Sequence, residues 1–154
     1  MAVKADGNWR SFRHRNYRIL FPANAASNIG TWAQRIAQDW LILQLTGNSG
    51  TYLGLITAVQ FAPVLFFSLH GGALADRVNK RKLLIATNFI GALSSLGLGV
   101  LVLAGNVQVW HVFFFALTLG ISSALDAPIR QSFTSEIVGH SDIANAVSLN
   151  SANF

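Results

Sequence analysis

A short polar turn, Asp76-Arg77-Val78-Asn79-Lys80-Arg81-Lys82, separates two apolar segments that are each long enough to cross a bilayer, and four of its seven residues are basic. A tight basic turn between two spanning segments does not cross a membrane readily, so it fixes which side of the bilayer faces the cytoplasm. Segments on either side of such a turn must satisfy their own backbone hydrogen bonds in lipid, which makes them helices. The turn therefore commits the chain to helical hairpins threaded through a membrane.

Composition agrees. Hydrophobic residues make up 52% of the 154 and charged residues 11%, against about 25% charged in soluble domains. The net charge of +5 raises the question of nucleic acid, and the placement of the charge answers it. Lys4, Arg10, Arg13, Arg15 and Arg18 precede the first span, and Arg77, Lys80, Arg81 and Lys82 fill one turn, so nine of the eleven basic residues occupy two places. That is the positive-inside pattern, and no nucleic-acid partner is expected. The absence of cysteine excludes disulfides, thiolate chemistry and cysteine-based metal sites. His14, His70, His111 and His140 are too dispersed to form a metal cluster by spacing.

The chain reads as an all-α membrane protein. Residues 1–17 form a basic, interfacial N-terminus on the cytoplasmic side, with Trp9, Phe12 and Tyr17 among the charges as anchors. Four transmembrane helices follow, at about 18–46, 51–75, 83–104 and 109–136, and residues 142–154 open an incomplete fifth. The turns at 46–50 and 105–108 carry no charge and fall on the opposite side from the basic turn. Ala23-Asn24-Ala25 has the small-residue form of a signal-peptide cleavage site, but only Ile19, Leu20 and Phe21 precede it as a continuous apolar run. That is shorter than a signal peptide needs, so the first helix is retained.

The first helix is the least apolar of the four, and its polar residues are ordered. At about 100° per residue, Asn24, Asn28, Thr31, Arg35, Gln38 and Asp39 fall within roughly a third of its circumference, with Gln34 at the edge. Ile29, Ile36 and Leu43 lie opposite. Such a stripe either faces a polar cavity or serves as hydrogen-bonding glue between helices. Arg35 and Asp39 are four residues apart and share a face. Asp39 reads as a candidate proton carrier with Arg35 as its partner; a static pair that neutralises two buried charges is the alternative. A second pair, Asp126 and Arg130, brackets Pro128 in the fourth helix. It suits either a helix that bends at the proline or a simple buried pair.

Small residues repeat every four positions as Gly54-Ala58-Ala62, Thr87-Gly91-Ser95-Gly99 and Ala116-Gly120-Ala124, the spacing that lets membrane helices approach closely. Trp110 is placed as an interfacial anchor. Phe61, Phe66, Phe67 and Phe113-Phe114-Phe115 either line a cavity for an amphiphile or face lipid.

Three ordered segments resemble one family. Gly72 to Leu84, with Gly72, Asp76, Arg77, Arg81 and Lys82, resembles the loop between helices two and three of the major facilitator superfamily; Asn79 stands where many members have glycine. Asn28-Ile29-Gly30-Thr31-Trp32, leading to Trp40 and Leu45-Thr46-Gly47, is similar to a bacterial branch that includes enterobactin-type siderophore exporters and macrolide-type drug exporters. Ala127-Pro128-Ile129-Arg130-Gln131, then Glu136-Ile137-Val138 and Ala144 to Ser151, is the third match. The resemblance implies a multi-pass exporter in the bacterial plasma membrane that works by alternating access between two six-helix halves and moves a small molecule against protons. It also implies that Asp76 and Arg77 latch the cytoplasmic side, with Glu136 a partner for Arg77 or Arg81.

Superfamily members have twelve spanning helices, so this chain is expected to be the N-terminal part of such a transporter, with the second half as its missing partner. Membrane lipids are its surroundings, and no cofactor is expected. A small four-helix transporter that builds its pore by oligomerising, or a non-transporting membrane subunit, is the alternative. An enzyme is not indicated, because no nucleophile-base or metal constellation and no phosphate-binding loop is present.

Overall fold

The computed structural model describes residues 15–68 and 79–138, with the side chains of 15–17, 20, 68 and 134–138 outside the described set. The described residues form four α-helices: α1 (Arg15–Leu45), α2 (Gly50–Ser68), α3 (Lys80–Leu103) and α4 (Val109–Val138). Three of these, α2, α3 and α4, are long and apolar enough to cross a membrane. The first helix is the longest at 31 residues, and its polar stripe keeps it out of that group.

Cross-helix contacts set the threading. Arg130 Nη1 donates to the carbonyl oxygen of Asn24 near one end of the bundle, and Ile42 joins Val112 in the apolar core near the other. So α1 and α4 run antiparallel side by side from Asn24 to Ile42, about 27 Å at 1.5 Å per residue, close to the thickness of a hydrocarbon core. That seat packs α1 along the length of α4 despite its polarity. Helices α1 and α3 are parallel, with Ser27 against Asn88 and Gln34 against Ser95 at the same offset. Helices α2 and α4 are parallel as well, with Gly120 seated on the backbone of Gln60.

The ends follow from local chemistry. Gly47 and Asn48 both adopt positive φ (64°) to close the α1–α2 turn, and Gly105 (φ 70°) ends α3; glycine and asparagine bear this backbone most cheaply. At α4, the Gln108 backbone N–H donates to His111 Nδ1 (3.1 Å) and Trp110 Nε1 donates to Gln108 Oε1 (2.8 Å). At α3, Asn79 is the N-cap, and its side chain accepts from the Lys82 N–H at 3.1 Å.

That cap corrects one boundary. The sequence reading ended the basic turn at Lys82 and began the third helix near 83, whereas Lys80, Arg81 and Lys82 form the first turn of α3. A cap residue sets where a helix starts, and charge alone had set the earlier boundary. Three cations at a helix N-terminus oppose its dipole, so helix stability does not explain their place.

The apolar core of Ile42, Ile56, Leu98, Val112 and Ala116 sits towards the uncharged turns. The outer faces carry Ile29, Ile36, Leu65, Phe66, Phe89, Leu93, Leu96 and Phe114, all exposed. So much exposed apolar surface is what lipid-facing helices present. Ile29 and Ile36 thus point away from the bundle, while Phe113 and Phe115 pack partly buried against the core. Of the glycines in the three small-residue tracks, only Gly120 marks a close approach. A Cβ on Gly120 would lie 2.7 Å from the Gln60 carbonyl oxygen, but Gly54, Gly91 and Gly99 have nothing within 4 Å among the described residues. Small residues permit contact without specifying it, and on α3 they open a cleft instead.

Candidate functional site: a polar cleft between three helices

A cleft of about 640 Å³ lies between α1, α3 and α4. Helix α1 contributes Asn28, Thr31, Gln34 and Arg35; α3 contributes Thr87, Asn88, Gly91 and Ser95; α4 contributes Ser122, Ser123, Asp126 and Arg130. The volume falls within the range of small-molecule sites. Polar groups here have no aqueous face to turn to, so each needs a partner or a water-filled space.

A ring of hydrogen bonds frames one end of the cleft. Asp126 is ion-paired with Arg130, whose Nε donates to Asp126 Oδ2 at 2.7 Å. Thr87 Oγ1 and Asn88 Nδ2 both donate to Asp126 Oδ1, at 3.1 and 3.0 Å. Ser27 Oγ donates to Asn88 Oδ1 (2.6 Å), and Arg130 returns to α1 through the Asn24 carbonyl. The circuit thus passes from α1 to α3 to α4 and back to α1. Farther along, Ser95 Oγ donates to Gln34 Oε1.

The α1 stripe divides. Asn28, Thr31 and Arg35 line the cleft with Gln34, whereas Gln38 and Asp39 meet α2. There the buried Gln60 Nε2 donates to Gln38 Oε1 at 3.2 Å and to Asp39 Oδ1 at 3.3 Å. Cavity wall and interhelical glue are both present, on successive turns of one helix. Arg35 and Asp39 share a face but form no ion pair within 4 Å. The guanidinium lies instead over the rings of Phe61 and Trp32, 4.5 and 5.3 Å from their centroids, within cation–π range.

Among the cytoplasmic-loop residues, Arg81 and Lys82 are exposed in the first turn of α3. Gly72, Asp76 and Arg77 lie outside the described residues, as do the side chain of Glu136, His70 and the expected fifth helix at 142–154. Among the described residues there is no group of acidic and histidine side chains that could hold a metal ion. Sequence reasoning did not single out Gln60, Asn88 or Ser122. A lone glutamine in the otherwise apolar run of α2 was the available signal for Gln60, since such residues usually bridge helices.

The bundle presents apolar outer faces and a cleft between α1, α3 and α4, and comparison with known families gives its lineage. The model of a family described as "transmembrane secretion effector" matches residues 6–154. The chain belongs to that family, within the major facilitator superfamily. It is 29% identical over 135 residues to the staphyloferrin A transporter of Staphylococcus aureus, covering 87% of this chain and 34% of that protein. It is 28% identical over 136 residues to the multidrug efflux pump Tap of Mycolicibacterium fortuitum, covering 84% and 33%. This transporter-family chain spans about a third of the length of these relatives. No solved structure matches it.

Proposed function

We propose that the complete transporter exports small amphiphilic molecules by proton-coupled alternating access, and that this bundle supplies one wall of the path. The observation that carries the reading is the cleft itself: three helices with exposed apolar outer faces turn polar residues towards one space. The names of the relatives, a siderophore transporter and a multidrug efflux pump, agree with a small-molecule cargo.

In this reading the basic N-terminus and the basic residues from Arg77 to Lys82 face the cytoplasm. Asp76 and Arg77 latch that side, with Glu136 as partner. Asp39 is the proton carrier. Its carboxylate is held by the neutral Gln60 amide and not locked in an ion pair, so protonation does not have to break a salt bridge. Arg35, one turn away, supplies the charge that Asp39 exchanges against. The Asp126–Arg130 pair ties α4 to α1 and α3 beside Pro128, where the helix lacks one backbone hydrogen bond.

Proton-driven efflux from vesicles carrying the full-length protein tests this. Asp39→Asn should abolish export driven by a proton gradient while leaving downhill exchange of cargo in place. Undiminished gradient-driven export in Asp39→Asn removes the coupling role.

A further inference from the structure

We infer that Gln60 is a positioning residue that passes the protonation state of Asp39 to the cleft, on the reading that Asp39 carries the proton. It does so through the turn of α2 from Gln60 to Val64, which holds α1 by a side chain and α4 by its backbone.

The grip on α1 is the first observation. Gln60, only 1% exposed, donates from one nitrogen, Nε2, to Gln38 Oε1 at 3.2 Å and to Asp39 Oδ1 at 3.3 Å. An ionised carboxylate only accepts hydrogen bonds, so it calls for an N–H; a protonated one brings an O–H, which calls for an acceptor. A glutamine amide meets either need by turning over, because its oxygen and nitrogen ends are alike in size and opposite in hydrogen-bonding sense. When Asp39 is protonated, the reversed amide presents Oε1 to the new O–H. The same oxygen is an acceptor for the Gln38 amide once that turns over too, and Gln38 Nε2 is a buried donor with no partner among the described residues. The proton enters and leaves on Asp39, while Gln60 gains and loses none and changes only the end that faces α1.

The seat on α4 is the second. The Gln60 carbonyl oxygen and Pro63 Cγ lie 2.7 and 3.1 Å from where a Cβ on Gly120 would stand, so α2 rests on α4 with no side chain between the backbones. Leu119, Ser122 and Ser123 of α4 and Val64 of α2 all line the cleft, each within about one turn of that contact. A shift of the Gln60 backbone therefore moves the cleft wall directly. Pro63 lies inside α2 and has no N–H, so the Val59 carbonyl lacks its helical donor and the helix bends most easily in this turn. Coupling between sites is carried by packed elements that have two arrangements. The amide supplies the two arrangements, and the Gly120 contact supplies the packing.

The other ionisable groups around Asp39 are few. Arg35, one turn back on α1, is the charged neighbour, and it lies over Phe61, the residue next to Gln60. Helix α2 has no charged residue, and its Tyr52 lies two turns before Gln60. Helix α4 brings His111, engaged by the Gln108 N–H, near one end and the Asp126–Arg130 pair towards the other. Helix α3 brings Lys80, Arg81 and Lys82 at its N-terminus.

The test uses the full-length protein, cleared of any other cysteine, in proteoliposomes. Infrared difference spectra give the carboxyl band of Asp39, identified as the band that Asp39→Asn removes, and the fluorophore bimane on Ser123→Cys reports on the cleft. With Gln60 in place, both signals should change over the same pH range. Gln60→Met keeps the side-chain length and removes the amide. A hydrogen bond to an ionised carboxylate is stronger than one to the neutral acid, so without it the band should titrate about one pH unit higher, and bimane should no longer respond. Gln60→Glu sets a second carboxyl against Asp39 and should split the titration into two separate steps; it keeps the question answerable where the methionine variant does not fold. An unmoved titration in both variants overturns the positioning role. A bimane response that survives in Gln60→Met overturns the relay.

Gradient-driven export by the same vesicles separates this idea from the one beneath it. Undiminished export in Asp39→Asn, together with a Gln60-dependent titration and bimane response, removes the proton-carrier reading and keeps the relay. Export lost in Asp39→Asn but unaltered in Gln60→Met keeps the carrier and removes the relay.

Discussion

Towards the turns at 46–50 and 105–108, Ile42, Ile56, Leu98, Val112 and Ala116 meet as a dry apolar core. Towards Asn79, helices α1, α3 and α4 meet through Ser27, Asn88, Asp126, Arg130 and the Asn24 carbonyl. In lipid, burying Ile42 gives little of the hydrophobic drive it would give in water, so the apolar end is held by packing quality. The polar end is held by hydrogen bonds and an ion pair among side chains that line the cleft. Each way of joining helices suits its end: packing closes one end, and a polar ring leaves a space beside it that the other could not.

The polar end should be the more fragile to single changes. Asp126→Leu removes the Asp126 carboxylate from Arg130 inside the bundle, and breaking a buried pair costs about 3–5 kcal/mol. Thermal unfolding in detergent should show the largest loss of the series for it, with most of the loss recovered in Asp126→Leu/Arg130→Met. If the double variant is as unstable as the single one, the pair does not act as a unit.

The approach of α2 to α4 comes next. Gly120→Val puts a Cβ 2.7 Å from the Gln60 carbonyl oxygen, and overpacking of this kind costs about 1–3 kcal/mol. Gly91→Ala, with nothing within 4 Å, should leave the unfolding midpoint unchanged. Equal effects at the two glycines would mean that the helix contact is misplaced.

At the apolar end, Ile42→Val should cost about 0.5–1.5 kcal/mol, read by the same unfolding assay. The smallest effect is expected at a single polar contact. Thr87→Val removes one donor to Asp126 while Asn88 remains, and membrane hydrogen bonds average about 0.6 kcal/mol. A Thr87→Val loss larger than that of Asp126→Leu would reverse the order of importance within the ring.

Much of this was legible in the sequence because membrane insertion is decided by coarse features. Apolar length, uncharged turns and nine clustered cations are properties of segments, and they survive without knowledge of neighbours. The polar stripe of α1 was legible for the same reason, since one helix period defines it. What each polar residue meets was not legible, because that depends on how helices slide and rotate against one another. Arg35 and Asp39 have the spacing of an ion pair, yet Phe61 and Gln60, on a different helix, draw them to separate partners. Gly120 and Gly91 stand in identical sequence periods, and one touches backbone while the other faces open space. Asn79 was a readable cap, three residues before Lys82, but the density of charge around it made the helix start look like loop.

The central claim is that the cleft between α1, α3 and α4 is a water-accessible path while the outer faces are in lipid. The chain has no cysteine, so once any cysteine elsewhere in the full-length protein is replaced, single cysteines can report on it directly. Gly91→Cys and Ser123→Cys lie in the cleft, and Phe89→Cys and Leu96→Cys lie on the exposed apolar face. In vesicles of the full-length protein, a charged, membrane-impermeant maleimide should label the two cleft positions and spare the two outer ones. Labelling of the outer pair with protection of Gly91→Cys and Ser123→Cys would contradict the account.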